Sequence, residues 1–165
     1  ALTLSGLPTR RFCFEAFLPT DKKERQWILE ELKQETRTMI VYEAPHHLVR
    51  TLEELGAALG MERRLTLCRE LTKRYEEAYQ ATFAEALQRF ETEEPKGECV
   101  IVIEGRSIED LKREQQKSWE EMSLEDHMEV YLTQGMDRKE AMKKVAKDRG
   151  ISKRDVYQGL MERDE

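Results

Sequence analysis

The chain has 165 residues, 38% of them charged and 39% apolar, and a formal net charge of −6. That length suffices for one well-packed domain with a small appendage, and no apolar run approaches the roughly 20 residues that span a bilayer, which excludes a membrane-spanning helix. The acidic balance excludes a protein that is basic throughout, but the sign is uneven. Met136 to Arg163 carries nine basic and five acidic residues, a net of +4 that leaves −10 for the rest. A basic tail on an acidic body points to a separate partner for the tail.

The N-terminal stretch ALTLSGLPTRRF has no basic region ahead of an apolar one, so it does not read as a signal peptide. It reads as the end of an apolar element, and the expectation is a fragment whose N-terminal part is missing. Arg11 to Leu18, rich in aromatics, predicts a first strand stopped by Pro19. Thr20 or Asp21 caps a helix to about Gln34, with Trp27, Ile28, Leu29 and Leu32 as its apolar side. Thr38 to Ala44 is a nearly continuous apolar run, as expected of a strand covered on both faces. Pro45 opens a helix to about Leu59, with Leu48, Leu52, Leu55 and Leu59 at helical spacing and Gly60 at its end. Strands follow at Arg64 to Leu71 and Glu77 to Thr82, then a helix from Phe83 to about Glu91 and a very apolar strand from Glu98 to Glu104. This alternation predicts an α/β domain, a layered, largely parallel or mixed sheet flanked by helices, ending near Arg106.

Residues 107–122 are highly charged with few apolar anchors and predict a linker helix or a partly mobile segment. From Ser123 to Glu165 the period is helical. Leu124 to Gln134 ends at Gly135, and Arg138 to Arg149 offers Ala141, Met142, Val145 and Ala146 and stops at Gly150. A third helix is capped by Ser152 with Asp155 three residues on. Val156, Tyr157, Leu160 and Met161 are its apolar residues. Two short helices about a glycine turn suggest a small all-α, helix-turn-helix-like tail, a nucleic-acid or a protein-interaction module.

Cys13, Cys68 and Cys99 lie in strand-like runs with no Cys-x-x-Cys, as buried reduced thiols of a cytosolic protein would. His46 and His47 have no spaced partners that would make a metal site, and none is expected. Glu43 ends a buried strand and must be a salt-bridge partner or a ligand contact. Arg69, Glu70 and Lys73, with Tyr75 and Tyr79 nearby, suit either RNA contact or a surface ion-pair cluster. There is no glycine-rich phosphate loop.

The runs SGLPTRRFCFEAFLP, TMIVYEAPHHLVRTLEEL, LCRELTKRYEEAYQATFAEAL and PKGECVIVIEG, in this order, resemble the C-terminal half of the ribosomal RNA small-subunit methyltransferase I family over about Ala1 to Gly105. The tail resembles the helix-turn-helix extension of some members. The resemblance implies a tetrapyrrole methylase-like fold of two α/β lobes, this chain beginning at the end of the first. It implies methyl transfer from S-adenosylmethionine to the ribose 2′-hydroxyl of a cytidine in 16S rRNA of the small ribosomal subunit. The family's glycine-rich and Asp-Pro-Gly cofactor loops lie upstream, so most of the cofactor's contacts are expected outside this chain and the chain alone is expected to be inactive. Tyr42, Glu43, Ala44 and Pro45, with Ala81 and Thr82, resemble positions from which related methylases contact the adenosyl part. Arg69, Glu70 and Lys73 match the RELTK signature, and with Lys153 and Arg154 of the tail they are the expected RNA contacts. Glu43, His46 and Glu70 are open choices for a base. A cytoplasmic homodimer is the expected form. Two other readings stand beside this one: a non-enzymatic RNA- or protein-binding or dimerisation module, and a methyltransferase for a tetrapyrrole-like small molecule.

Overall fold

The computed structural model describes residues 1–161, in two compact units, 1–107 and from Ile108 onward. Glu162 and Arg163, counted in the basic tail, lie outside the described residues.

In the first unit the elements are α1 (Leu2–Ser5), β1 (Phe12–Phe17), α2 (Lys22–Leu32), β2 (Thr38–Glu43), α3 (Leu48–Leu59), β3 (Arg64–Arg69), β4 (Glu77–Thr82), α4 (Phe83–Phe90) and β5 (Cys99–Ile103). A short 3-10 turn, Pro45–His47, leads into α3. The sheet order is β1-β2-β5-β3-β4. Among the described residues only β1 and β2 pair in parallel; β5 runs antiparallel between β2 and β3, and β4 antiparallel to β3. The sheet is thus mixed, and the α/β class read from the sequence is the one observed.

Local chemistry sets the boundaries. Asp21 caps α2 by accepting from the Lys23 and Glu24 amides, and Thr82 forms a capping box with Glu85 at α4. One sheet face carries the main core: Met39, Val41, Leu65, Leu67, Ile101 and Ile103 meet Leu29 and Leu32 of α2, Leu48, Leu52 and Leu55 of α3, and Phe83 of α4. Gly56 of α3 lets Phe83 approach, since a Cβ there would stand 3.1 Å from the Phe83 Cβ. The other face is thinly covered. Ala1, Leu2 and Leu7 lie over Ile40 and Val102, whereas Phe12, Phe14, Phe17 and Tyr42 stay exposed, with Phe14 and Phe17 edge-on to Tyr42. Trp27, expected on the apolar side of α2, is exposed instead, because that helix reaches the core through Leu29 and Leu32, with Ile28 partly buried against it. Cys13 is half-buried rather than buried; Cys68 and Cys99 are buried, and all three are free thiols. Burial pushes the Cys13 thiol up to about 12 and that of Cys99 to about 11, so neither is a ready nucleophile.

The second unit holds α5 (Ile108–Glu121), α6 (Leu124–Thr133), α7 (Arg138–Arg149) and α8 (Lys153–Met161). The segment expected as a linker is a helix within this unit, anchored by Trp119, whose ring stacks on His127 at 4.0 Å. Met128, Tyr131, Ala141, Met142, Val145, Ala146 and Val156 form the core. α7 ends at Gly150 in the left-handed region (φ 66°). Ser152 and Asp155 exchange hydrogen bonds at the start of α8. Tyr157, expected to face inward, is exposed. No helix among the described residues is long and apolar enough to cross a membrane.

Candidate functional site

Register places the candidate residues. Glu43 pairs with Cys99, Cys99 with Arg69, and Arg69 with Glu77, so one row crosses the sheet at the end where β2 and β3 finish. Ala81 pairs with Leu65, and Leu65 with Ile103 opposite Met39, which is the other end of the sheet. Three strand spacings and four residues of strand put Ala81 roughly 20 Å from Glu43. The structure therefore brings Tyr42–Pro45 together with Arg69, Glu70 and Lys73, and separates Ala81 and Thr82 from them. Thr82 spends its hydroxyl on the α4 cap, and a second cavity, of about 380 Å³, opens beside Ala81 and Thr82.

Glu43 is 7% exposed at the end of a central strand. A carboxylate in that position needs hydrogen-bond donors. The Thr51 hydroxyl donates to its Oε2 (2.6 Å) and the Ala44 N–H to its Oε1 (2.8 Å). Arg25 Nη2 donates to Thr51 Oγ1 at 2.8 Å, and the same guanidinium bonds Glu54, which Arg50 also reaches. His47 Nδ1 lies 4.0 Å from Glu43 Oε1. Arg25, Glu43, His47, Arg50 and Thr51 line an open cavity of about 250 Å³ together with Pro19 and Thr20. A carboxylate offers about four acceptor positions, and the protein uses one on each oxygen of Glu43. The remainder can receive hydroxyl or amine donors of a ligand. His46 is exposed with its ring 4.2 Å from that of His47.

The RELTK segment is tightly bound within itself. Arg69 pairs with Glu77, which also takes Arg89. Glu70 Oε1 accepts the Glu98 N–H at 3.0 Å, and Lys73 Nζ lies 3.0 Å from Glu98 Oε2 and 3.5 Å from Glu70 Oε1. The hydrogen bond from Glu98 and the Lys73 ammonium hold the Glu70 carboxyl below its usual range. Gly97 makes room: a Cβ there would fall 2.3 Å from Glu70 Oε1. Glu70 and Thr72 both have positive φ (49° and 63°), a conformation that costs a non-glycine residue about 1–3 kcal/mol. The expected contact residues Arg69, Glu70 and Lys73 thus hold the loop in shape. Of the residues they present, Tyr75 is noted in the sequence as an aromatic near the RELTK segment, and Arg74 is passed over. Arg74 sits over the Tyr75 ring at 5.5 Å. The sequence signal for Arg74 lay in the run of charges around Tyr75.

In the second unit Lys153 and Arg154 are exposed in the first turn of α8. Sequence reasoning missed the buried cluster between α5, α6 and α7. His127 is fully buried, Arg149 Nε donates to its Nδ1 at 3.0 Å, and Nε2 has no hydrogen-bond partner, 3.7 Å from Asp148 Oδ2. Tyr131 donates to that same Asp148 oxygen. Burial and then the Arg149 cation lower the His127 pKa. No group of His, Cys, Asp or Glu among the described residues could hold a metal ion.

No protein-family model matches the chain. The protein named ribosomal RNA small subunit methyltransferase I from Halalkalibacterium halodurans is 43% identical over 157 residues, which is 95% of this chain and 53% of that protein. The proteins of that name from Synechocystis sp. and Bacillus subtilis are each 41% identical, over 98% and 95% of the chain and 56% and 53% of their own lengths. The chain therefore spans about half the length of the curated relatives it matches. A crystal structure of the methyltransferase CobJ aligns with a TM-score of 0.44 at 18% identity, covering 66% of this chain and 50% of that one. With 41–43% identity running through almost all of its residues, the chain belongs to the ribosomal RNA small subunit methyltransferase I family.

Proposed function

We propose that this chain is part of an S-adenosylmethionine-dependent methyltransferase that modifies the ribose 2′-hydroxyl of a cytidine in 16S rRNA of the small ribosomal subunit. The identity to the named relatives, continuous through both units, is the observation that carries this reading. S-adenosylmethionine, when bound, supplies an electrophilic methyl group on a sulfonium centre. The cavity at the end of β2 fits part of such a molecule: the Glu43 carboxylate has acceptor capacity to spare for hydroxyl or ammonium donors, and Pro19 gives an apolar edge. Ala81 and Thr82 lie at the far end of the sheet and belong to a different wall.

A ribose hydroxyl is a poor nucleophile, and much of the acceleration of such a transfer comes from holding the reacting atoms in line. The chain contributes a rigid wall. Thr51, itself fixed by Arg25, orients the Glu43 carboxylate. Glu70 is occupied by the Glu98 amide and Lys73, which leaves Glu43 and His47 in the cavity, with His46 beside His47, as the groups able to take a proton. The deciding measurement is incorporation of labelled methyl groups from S-adenosylmethionine into small-subunit particles, followed by nucleoside analysis. Label on a ribose oxygen, lowered in Glu43→Ala, supports the proposal. Label on a base, or only on a small molecule, overturns it.

The tail serves the same substrate as a phosphate-binding module. α7, the Gly150 turn and α8 put Lys153 and Arg154 at a helix start, where backbone N–H groups also attract phosphate. Changing both to Glu should weaken RNA binding and flatten its log–log salt dependence by roughly one unit per lost contact. An unchanged slope would make the tail a protein-interaction module. The same reading carries a cytoplasmic homodimer, for which the exposed Phe12, Phe14 and Phe17 offer an apolar face.

A further inference from the structure

We infer that the tip of the loop between β3 and β4, Arg74 and Tyr75, is a stacking contact for an unpaired base of the RNA substrate; this rests on the RNA reading above. The two residues stand out because everything around them is spoken for. Glu70 and Glu98 share Lys73, Glu77 is taken by Arg69 and Arg89, and the Glu76 carboxylate accepts the Thr72 N–H at 2.6 Å. The acidic residues beside the tip are thus engaged. Among the described residues, Arg74 has the Tyr75 ring as its contact and no ion-pair partner. Tyr75 is 69% exposed, the highest value of any large apolar or aromatic side chain, and no hydrogen bond engages its hydroxyl.

The loop that carries this pair is fixed. The Lys73 N–H donates to Glu70 O (2.9 Å), the Glu76 N–H to Lys73 O (3.2 Å) and the Glu70 N–H to Glu98 O (3.1 Å). With Glu70 and Thr72 in left-handed conformations, the chain accepts backbone strain to hold a tip that adds nothing to the core. Strain of this kind persists only where surrounding contacts over-determine it, and it gathers at binding and catalytic sites. A rigid aromatic ring beside an unpaired guanidinium matches an unpaired nucleotide: the ring stacks on the base, which any base permits, and the cation meets the phosphate. The tip also projects from the end of the sheet where Glu43 lies, two strands from Arg69 and about 10 Å across. A nucleotide held there would be close to the cavity proposed for methyl transfer.

The test is a fluorescence-anisotropy titration of the chain with a short fluorescein-labelled single-stranded RNA, repeated with the same RNA as a duplex. Tyr75→Ala should weaken single-strand binding roughly ten-fold, and Tyr75→Phe should stay within about two-fold of the parent because the ring remains. Duplex binding should not respond to either change, and the thermal transition should not move, since Tyr75 is outside the core. If the parent binds single-stranded RNA and Tyr75→Ala binds it equally well, while Lys153→Glu with Arg154→Glu does not, the loop inference is wrong and the RNA reading stands. Equal losses in Tyr75→Ala and Tyr75→Phe would indicate a hydroxyl contact and overturn stacking. Should the parent bind neither this RNA nor small-subunit particles, the RNA reading itself falls and takes this inference with it.

Discussion

The two units solve the problem of stability differently. The first buries a broad set of large aliphatic side chains between one sheet face and three helices, and the polar residues near its candidate site sit at the edge of that core. The second has a small core built on methionine, alanine and valine, and places a polar cluster at its centre: His127 between Trp119, Tyr131, Asp148 and Arg149. A small helical unit has little apolar surface to bury, so a network in a low-dielectric interior carries a larger share of its order. In the first unit, losing one polar contact should affect the site more than the fold. In the second, it should affect the fold.

The largest expected effect is Phe83→Ala, which empties a fully buried site between α3, α4 and the sheet. It should cost about 3–5 kcal/mol and lower the melting of the first unit alone. A chain ending at Arg106 should keep a cooperative transition sensitive to this substitution; a molten profile would show that the two cores are not separate. Next comes Arg149→Met. The Arg149 side chain donates to His127 Nδ1 and, through Nη2, to the Ser123 carbonyl at 2.8 Å and that of Met122. Removing a charged donor from this cluster should cost about 1.5–3 kcal/mol, read as lost helical signal at 222 nm for the second unit. A loss under about 0.5 kcal/mol would mean the cluster is passive.

The smallest effect is on pH. His127 has a lowered pKa in the folded chain, so the unfolded chain binds the proton more readily. Its contribution is whole above the ordinary histidine value near 6.5 and fades as pH falls from there towards the folded value. Asp148 facing Nε2 moderates the loss, and Arg149 facing Nδ1 deepens it. Melting of the second unit should therefore fall as pH drops below about 6.5, and His127→Gln should flatten the profile. A parent profile already flat in that window would place the proton elsewhere.

The strands and helices were legible because their signals are local. Thr38 to Ala44 and Glu98 to Glu104 are apolar runs bounded by Pro, Gly and charge, and Asp21, Thr82 and Ser152 are cap residues in the right place. The antiparallel insertion of β5 between β2 and β3 was not legible, because strand order is decided by distant pairing. That order separates Ala81 from Glu43, two positions the sequence reading grouped. The roles of Glu70 and Lys73 were hidden for the same reason: their partner Glu98 comes from a different segment, beyond α4. Tyr157 and Trp27 misled because an aromatic at helical spacing looks like core whether or not anything lies opposite it. His127 gave no signal, since its environment is assembled from α5, α6 and α7.

β1 is an edge strand, and its outward aromatics, Phe12, Phe14 and Phe17, lie on a sequence with high strand propensity and little charge. Such an edge is a template for a strand from another molecule, the first step towards fibrils. The register shift between Phe14 and Ala16, with Ala16 at a φ of 53°, breaks the regular spacing of the hydrogen-bonding groups there. A left-handed alanine costs about 1–2 kcal/mol relative to an ordinary conformation. A less stable strand is the cost of an edge that a neighbouring strand can pair with less readily.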